Sequence, residues 1–263
     1  MSSQYNKKFK KTEEDKYMCF FHNRIKENVL NKYCKNYSLL LDFACGQSGD
    51  IWKWINIGIR NVIGFDNSKE LQKIAFERFP DGFPMKFKYV LHDLKKPLKF
   101  QKEEFADHIS CFFAIHYFFE SEEVLTTFIL NVAKCLKDSG YFIGTTFDGE
   151  RIIKYMKECK KNETNEKGIY AITKQYDDED FTGFTYGHTI IVHRGRSAGG
   201  KGIQEYLVFF DILEKICQNF NLYLVNIIPF EEIYIKEKKY CLNYLEKNIS
   251  FLNSVFIFQK KSK

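Results

Sequence analysis

The sequence predicts an α/β fold: a mostly parallel, seven-stranded sheet with helices on both faces. Three observations predict it. Apolar strand patterns alternate with helical ones along most of the 263 residues, as a parallel sheet requires. The first strand runs into a small-residue loop, Ala44-Cys45-Gly46-Gln47-Ser48-Gly49-Asp50, and then a helix. The second strand, Asn61-Val62-Ile63-Gly64-Phe65-Asp66, ends on an acid.

In chain order, residues 1–16 are polar and lysine-rich and read as a flexible basic arm. Tyr17, Phe20, Phe21, Ile25, Val29 and Leu30 then recur at the spacing of an amphipathic helix over 17–36. Strands are expected at 38–43, 61–66, 86–91, 107–114, 140–147, 221–228 and 251–259. Helices are expected at 49–57, 68–78, 121–136, 149–159 and 206–219. Residues 17–263 therefore read as a single domain, with a surface insertion near 158–202. That insertion starts with the polar run Lys160–Gly168 and contains a basic glycine-rich loop, Arg194–Gly202. The loop reads either as a phosphate contact or as a plain connector.

Composition sets the class. Hydrophobic content is 44% and aromatic content 17%, which suits a globular chain with a large core. A net charge of +6 is compatible with a polyanionic substrate such as RNA without requiring one. Eight cysteines form no CxxC pair, so free thiols in a reducing intracellular compartment are expected. The first residues do not read as a signal peptide. No apolar run is long enough to span a membrane.

The acids at the strand ends identify the ligand. Glycine in the first loop lets a ligand approach the backbone, and an acid at the tip of the second strand is where such sheets grip ribose hydroxyls. Asp66 can accept from both hydroxyls, and Asp93, after the third strand, from an adenine amine. Asp42 and Asp50 flank the loop, either as helix caps or as partners of a ligand ammonium. A dinucleotide would bring a pyrophosphate that these acids repel. S-adenosylmethionine brings an ammonium and a sulfonium, so the residues favour the methyl donor.

Several segments, in order over roughly 20–260, together resemble the eukaryotic and large-DNA-virus mRNA cap guanine-N7 methyltransferases. His22-Asn23-Arg24-Ile25-Lys26 is similar to the family's Asn-Asn-Trp-Ile-Lys, and 41–50 to Leu-Asp-Leu-Gly-Cys-Gly-Lys-Gly-Gly-Asp. Ser110–Glu120 resembles Ser-Cys-Gln-Phe-x-x-His-Tyr-x-Phe-Glu, and Ile203–Val208 resembles Val-Pro-Glu-Tyr-Leu-Val. The resemblance implies the class I S-adenosylmethionine-dependent methyltransferase (Rossmann-like) fold, with S-adenosylhomocysteine as product. It implies donor binding by Lys26, Asp42, Gly46, Asp50, Asp66, Asp93, Phe112 and Tyr117. It implies cap binding by Arg78, His116, Tyr117 and Glu205. Taken alone, His116 also reads as a satisfied core histidine at a strand end, and Arg78 reads better as a solvated helix residue. No residue is expected to act as general acid or base, because guanine N7 has no proton to lose. No metal is expected.

The implied partners are the capped 5′ end of mRNA and the guanylyltransferase and triphosphatase domains of a capping enzyme, with no membrane. The implied place is the nucleus or, for a viral chain, the host cytoplasm or virion. The chain departs from the family pattern at Gln47 (lysine), Phe112 (glutamine) and Gln204 (proline). Two other readings remain: a methyltransferase for a small molecule or protein, and a non-catalytic cap- or RNA-binding subunit.

Overall fold

The computed structural model describes residues 15–34, 38–79, 85–99, 103–181, 185–194 and 202–262. All but two residues of the expected basic arm, and most of the glycine-rich loop 194–202, lie outside the described residues.

The chain begins with α1 (Lys16–Tyr33), then alternates β1 (Leu39–Phe43), α2 (Ile51–Asn56), β2 (Asn61–Asp66), α3 (Lys69–Glu77), β3 (Lys86–Leu91), β4 (Ala106–Phe112), α4 (Glu122–Cys135), β5 (Leu136–Phe147) and α5 (Gly149–Tyr155). Four strands follow: β6 (Thr164–Asn165), β7 (Tyr170–Lys174), β8 (Thr189–Arg194) and β9 (Ile203–Tyr206). The chain closes with α6 (Phe210–Gln218), β10 (Leu222–Pro229), α7 (Phe230–Glu237), α8 (Tyr244–Ser250) and β11 (Asn253–Lys260).

The main sheet has seven strands in the order β10-β11-β5-β4-β1-β2-β3. Neighbours from β3 to β5 are parallel, and β11 runs antiparallel to both β5 and β10. β1 lies between β2 and β4, so strand order reverses there. The carboxyl ends of β1 and β4 open a crevice at that switch point, where such sheets bind ligands.

Burial explains the order. β1 and β4, the central strands, are buried at all but one residue each. Phe43, Phe128, Phe142, Phe256 and Phe258 fill the core without exposure. Lys260 ends the last strand by donating to the carbonyls of Ala133 (2.7 Å) and Leu136 (2.8 Å), and to Glu104. It thereby satisfies backbone acceptors left open where α4 ends.

The segment expected as a surface insertion carries a second sheet, antiparallel, in the order β6-β7-β8-β9. The expected helix at 206 starts only at Phe210, because Ile203–Tyr206 pairs with β8. Backbone bonds fasten this sheet to the main domain: Gly187 donates to Phe119 (3.0 Å), and Gly149 donates to Val208 (2.8 Å). Lys174 closes β7. It is a buried lysine, which donates to the Cys159 carbonyl (2.9 Å) and to Asp178 (2.6 Å). All eight cysteines are free thiols. Among the described residues no helix is long and apolar enough to cross a membrane.

Candidate functional site

The loop after β1 curls through three left-handed residues, Ala44 (φ 56°), Gly46 (φ 54°) and Ser48 (φ 53°). Its fold is pinned to the neighbouring strands. The Cys45 amide donates to the Phe65 carbonyl (3.0 Å) and the Tyr89 hydroxyl to the Gly46 carbonyl (3.0 Å). Gly64 makes room, since a Cβ there would stand 2.7 Å from Cys45 Sγ.

Asp66 holds the loop from the tip of β2. One carboxylate oxygen accepts from the Gly46 amide (2.9 Å) and the other from the Ser68 amide (2.9 Å). Each oxygen keeps further lone-pair capacity for a ligand donor. Burial raises the Asp66 pKa despite these bonds. Asp93 lies beside it, because the His92 amide donates to the Asp66 carbonyl (2.9 Å). Its carboxylate accepts from the Lys95 amide (3.0 Å) and is partly exposed.

Below the loop lie two buried acids with opposite fates. Asp50 accepts from Lys26 (3.0 and 3.1 Å) and pairs with Lys53 (2.8 Å). Burial works to raise its pKa, but the two lysines outweigh burial and the net shift is downward. Asp50 occupies the N-cap position of α2 but makes no side-chain cap bond, and Asp42 lies inside β1, so neither carboxylate caps a helix. Asp42 accepts a 2.6 Å bond from the Ser110 hydroxyl. Burial and the Asp50 charge both push its pKa upward. Both lysines bond to Asp50, and Asp42 has Ser110 as its hydrogen-bond donor.

The opposite wall is the end of β4. Lys26 Nζ lies 5.4 Å from the ring centroids of both Phe112 and Phe113. Where the family pattern has a glutamine, Phe112 thus supplies a ring face to Lys26. Phe113 is itself left-handed (φ 54°), donates its amide to Thr145 (2.7 Å) and stacks on His22. A short helical turn at 115–118 follows and carries His116 and Tyr117. His116 is buried, and burial pulls its pKa down to about 3, so the imidazole is neutral. Its Nδ1 stands 3.8 Å from a Glu205 oxygen, and Nε2 has no hydrogen-bond partner among the described residues. It is therefore not a satisfied core histidine. Arg78, just past α3, places Nη1 3.8 Å from where a Gly49 Cβ would be.

The residues singled out in the sequence fall into two groups, drawn from both sheets and from α1. Lys26, Asp42, Gly46, Asp50, Asp66 and Phe112 form one contiguous cluster, with Asp93 at its side and Arg78 against the loop. His116, Tyr117 and Glu205 form a second group, assembled from β4 and β9. Four participants were missed. Lys53 was findable, three residues after Asp50 on a helix. Ser110 faces Asp42 only through the strand register. His22 stood in a quoted segment without a role assigned to it, and Tyr89 carried no local signal.

Solved structures share this architecture. An S-adenosylmethionine-dependent methyltransferase from Clostridium acetobutylicum superposes with TM-score 0.58 at 16% identity, covering 95% of this chain and 93% of that one. The CcbJ methyltransferase from Streptomyces caelestis gives TM-score 0.62 at 12% identity, covering 92% and 90%. At these identities they show the fold, class I Rossmann-like. In sequence, the chain is 31% identical over 233 residues to the mRNA cap guanine-N(7) methyltransferase of Saccharomyces cerevisiae, covering 82% of this chain and 53% of the relative. It is 30% identical to the "Probable mRNA-capping enzyme" of Acanthamoeba polyphaga mimivirus, covering 92% of this chain and 23% of that protein. The chain therefore spans about half of the yeast relative and a quarter of the viral one. Its residues 3–256 match the mRNA (guanine-N(7))-methyltransferase domain, and the chain belongs to that family.

Proposed function

We propose that this protein transfers a methyl group from S-adenosylmethionine to guanine N7 of the mRNA 5′ cap, GpppN. One observation carries the reading: Glu205, from the second sheet, stands 3.8 Å from neutral His116, beside the acid-rich loop of the main sheet.

The residues fit the donor's charges. Asp66 and Asp93 offer acceptors to ribose hydroxyls and an adenine amine. Lys26 and Asp50, bonded to each other, complement the carboxylate and ammonium of a methionine end. Asp42, bonded to Ser110, adds a further carboxyl group beside them. When bound, S-adenosylmethionine supplies an electrophilic methyl on a sulfonium.

On the acceptor side, Glu205 can take two hydrogen bonds from the N1–H and N2–H edge of guanine, an edge adenine lacks. It also offsets the positive charge guanine gains at N7. His116, neutral at all physiological pH values, is suited to hydrogen bonding rather than proton removal. Tyr117 offers a ring face and a hydroxyl, and Arg78 a fork for cap phosphates. N7 attacks without losing a proton, so no side chain is assigned as general base. Positioning is worth roughly 7–11 kcal/mol in such reactions, and fixed charges around the site add to it. The eight free thiols support a reducing compartment as the place of action.

Calorimetry separates the two halves. Asp66→Ala is expected to weaken S-adenosylmethionine binding while sparing GpppG, and Glu205→Ala to do the reverse. Loss of donor binding in Glu205→Ala with the cap unaffected would refute the assignment.

A further inference from the structure

Two departures from the family pattern meet in space. His22 stands where the pattern has an asparagine, and Phe112 where it has a glutamine. His22 lies one helical turn before Lys26 on α1, so the two share a face. Its ring is held from three directions. Nε2 shares a 2.6 Å hydrogen bond with the Ser250 hydroxyl at the end of α8. The ring stacks on Phe113, with centroids 5.4 Å apart and planes 21° apart. Phe230 meets it edge-on at 5.1 Å, and meets Phe113 edge-on at 6.2 Å. Burial, and then the Lys26 charge, pull the His22 pKa down to about 3, so the ring is neutral and can sit beside an ammonium. Phe113 needs such support. It is a non-glycine residue in the left-handed region (φ 54°), a conformation that persists only where the surroundings fix it. Its ring and that of Phe112 each lie 5.4 Å from Lys26 Nζ, within cation–π reach. Asp50 holds the same ammonium at 3.0 and 3.1 Å.

We infer that His22 is a positioning residue for the donor site: clamped by Ser250, its ring fixes Phe113 as one wall of an aromatic cradle that aims the Lys26 ammonium. The inference rests on the donor reading above. An asparagine can bond to Ser250 but has no ring to lay against Phe113. A lysine carries its charge on a flexible four-carbon stem, so an ammonium that must meet a ligand carboxylate gains from groups that order it beforehand. Asp50 restrains it by charge and the two rings by their π-faces. His22 acts through Phe113 rather than on a ligand atom, so it governs donor affinity and not cap affinity.

Titration calorimetry with S-adenosylhomocysteine and, separately, GpppG tests it. His22→Leu fills similar space without a flat ring. It should weaken S-adenosylhomocysteine about 3- to 30-fold with little change for GpppG. His22→Phe restores the stack without the clamp and should bind S-adenosylhomocysteine more tightly than His22→Leu. Adding His22→Leu to Phe113→Leu should cost little more, because both act through one stack. Ser250→Ala removes only the clamp and should give a smaller loss in the same direction. Should His22→Leu not fold, donor affinity equal to the parent's in Ser250→Ala overturns the inference. Where it folds, three results overturn it: parent-like donor affinity, an equal loss for GpppG, or His22→Phe no better than His22→Leu. Each leaves the donor reading standing. Failure of the parent protein to bind S-adenosylhomocysteine overturns both.

Discussion

The Glu205 carboxylate on β9 stands 3.8 Å from Nδ1 of His116, on the turn after β4. Two sheets of different construction meet at this pair. Among the described residues His116 has no partner at Nε2, and burial keeps its ring neutral. A carboxylate and a neutral imidazole side by side form an acceptor-rich pocket able to tell guanine from adenine. Glu205→Gln keeps the shape but replaces one acceptor oxygen with a donor. Charged hydrogen bonds of this kind are worth about 1.5–3 kcal/mol. The preference for GpppG over ApppG in kcat/KM should therefore fall roughly 10- to 100-fold. An unchanged preference would place recognition elsewhere.

The Lys26–Asp50–Lys53 cluster is predicted to act as a unit. Asp50 is the shared partner, at 2.8–3.1 Å from both ammonium groups. Lys26→Met and Asp50→Asn should each reduce donor affinity about tenfold or more, and the double variant should lose less than the sum. A coupling near 1 kcal/mol is expected for residues in direct contact. Strict additivity in titration calorimetry would show that the pair does not position the donor.

Backbone conformation at the first loop predicts stability changes of opposite sign. Ala44 and Ser48 hold positive φ without being glycine, which costs roughly 1–2 kcal/mol per residue. Glycine at either site recovers part of that, less its own entropy of about 0.5–1 kcal/mol. Ala44→Gly and Ser48→Gly should raise Tm by up to a few degrees. Gly46→Ala should lower it, although its Cβ would meet only Leu71 Cδ1 at 3.9 Å. The contrast is read by scanning calorimetry, and uniform destabilisation would sink it.

Local chemistry made much of this legible in advance. Apolar runs announced all seven strands of the main sheet, because each strand turns apolar residues toward a core. The acids at Asp66 and Asp93 pointed to the ligand because strand ends face the crevice. What escaped the sequence depends on distant pairing. β7 lies between the polar run 160–168 and the acidic turn 177–180, and its buried Lys174 is held by an ion pair to Asp178 and a hydrogen bond to the Cys159 carbonyl. The Asp42–Ser110 bond follows from strand register, and His22 meets Phe113 only because α1 packs across the end of β4. The neutrality of His116 is likewise a product of burial.

Asp42 gives a pH signature. Its pKa is raised by burial and then by the Asp50 charge, so the folded state binds that proton more tightly than the unfolded chain. Its contribution to stability is full below its unfolded pKa, about 3.9, and is lost as pH rises through the raised folded value. Asp42→Asn is uncharged and still accepts from Ser110. Its Tm advantage over the parent should grow between pH 5 and pH 8. His116 has the opposite sign, losing stability as pH falls below about 6.5, so the difference between variant and parent is the quantity to follow. A pH-independent difference would contradict the placement of Asp42.

The most direct measurement uses GpppG-capped and ApppG-capped RNA with isotopically labelled S-adenosylmethionine, followed by mass-spectrometric mapping of the product. The account predicts a single labelled methyl at N7 of the cap guanine, and none on the adenine cap. Label on a ribose oxygen, label on the adenine cap at comparable rate, or no transfer by protein that binds both ligands would contradict it.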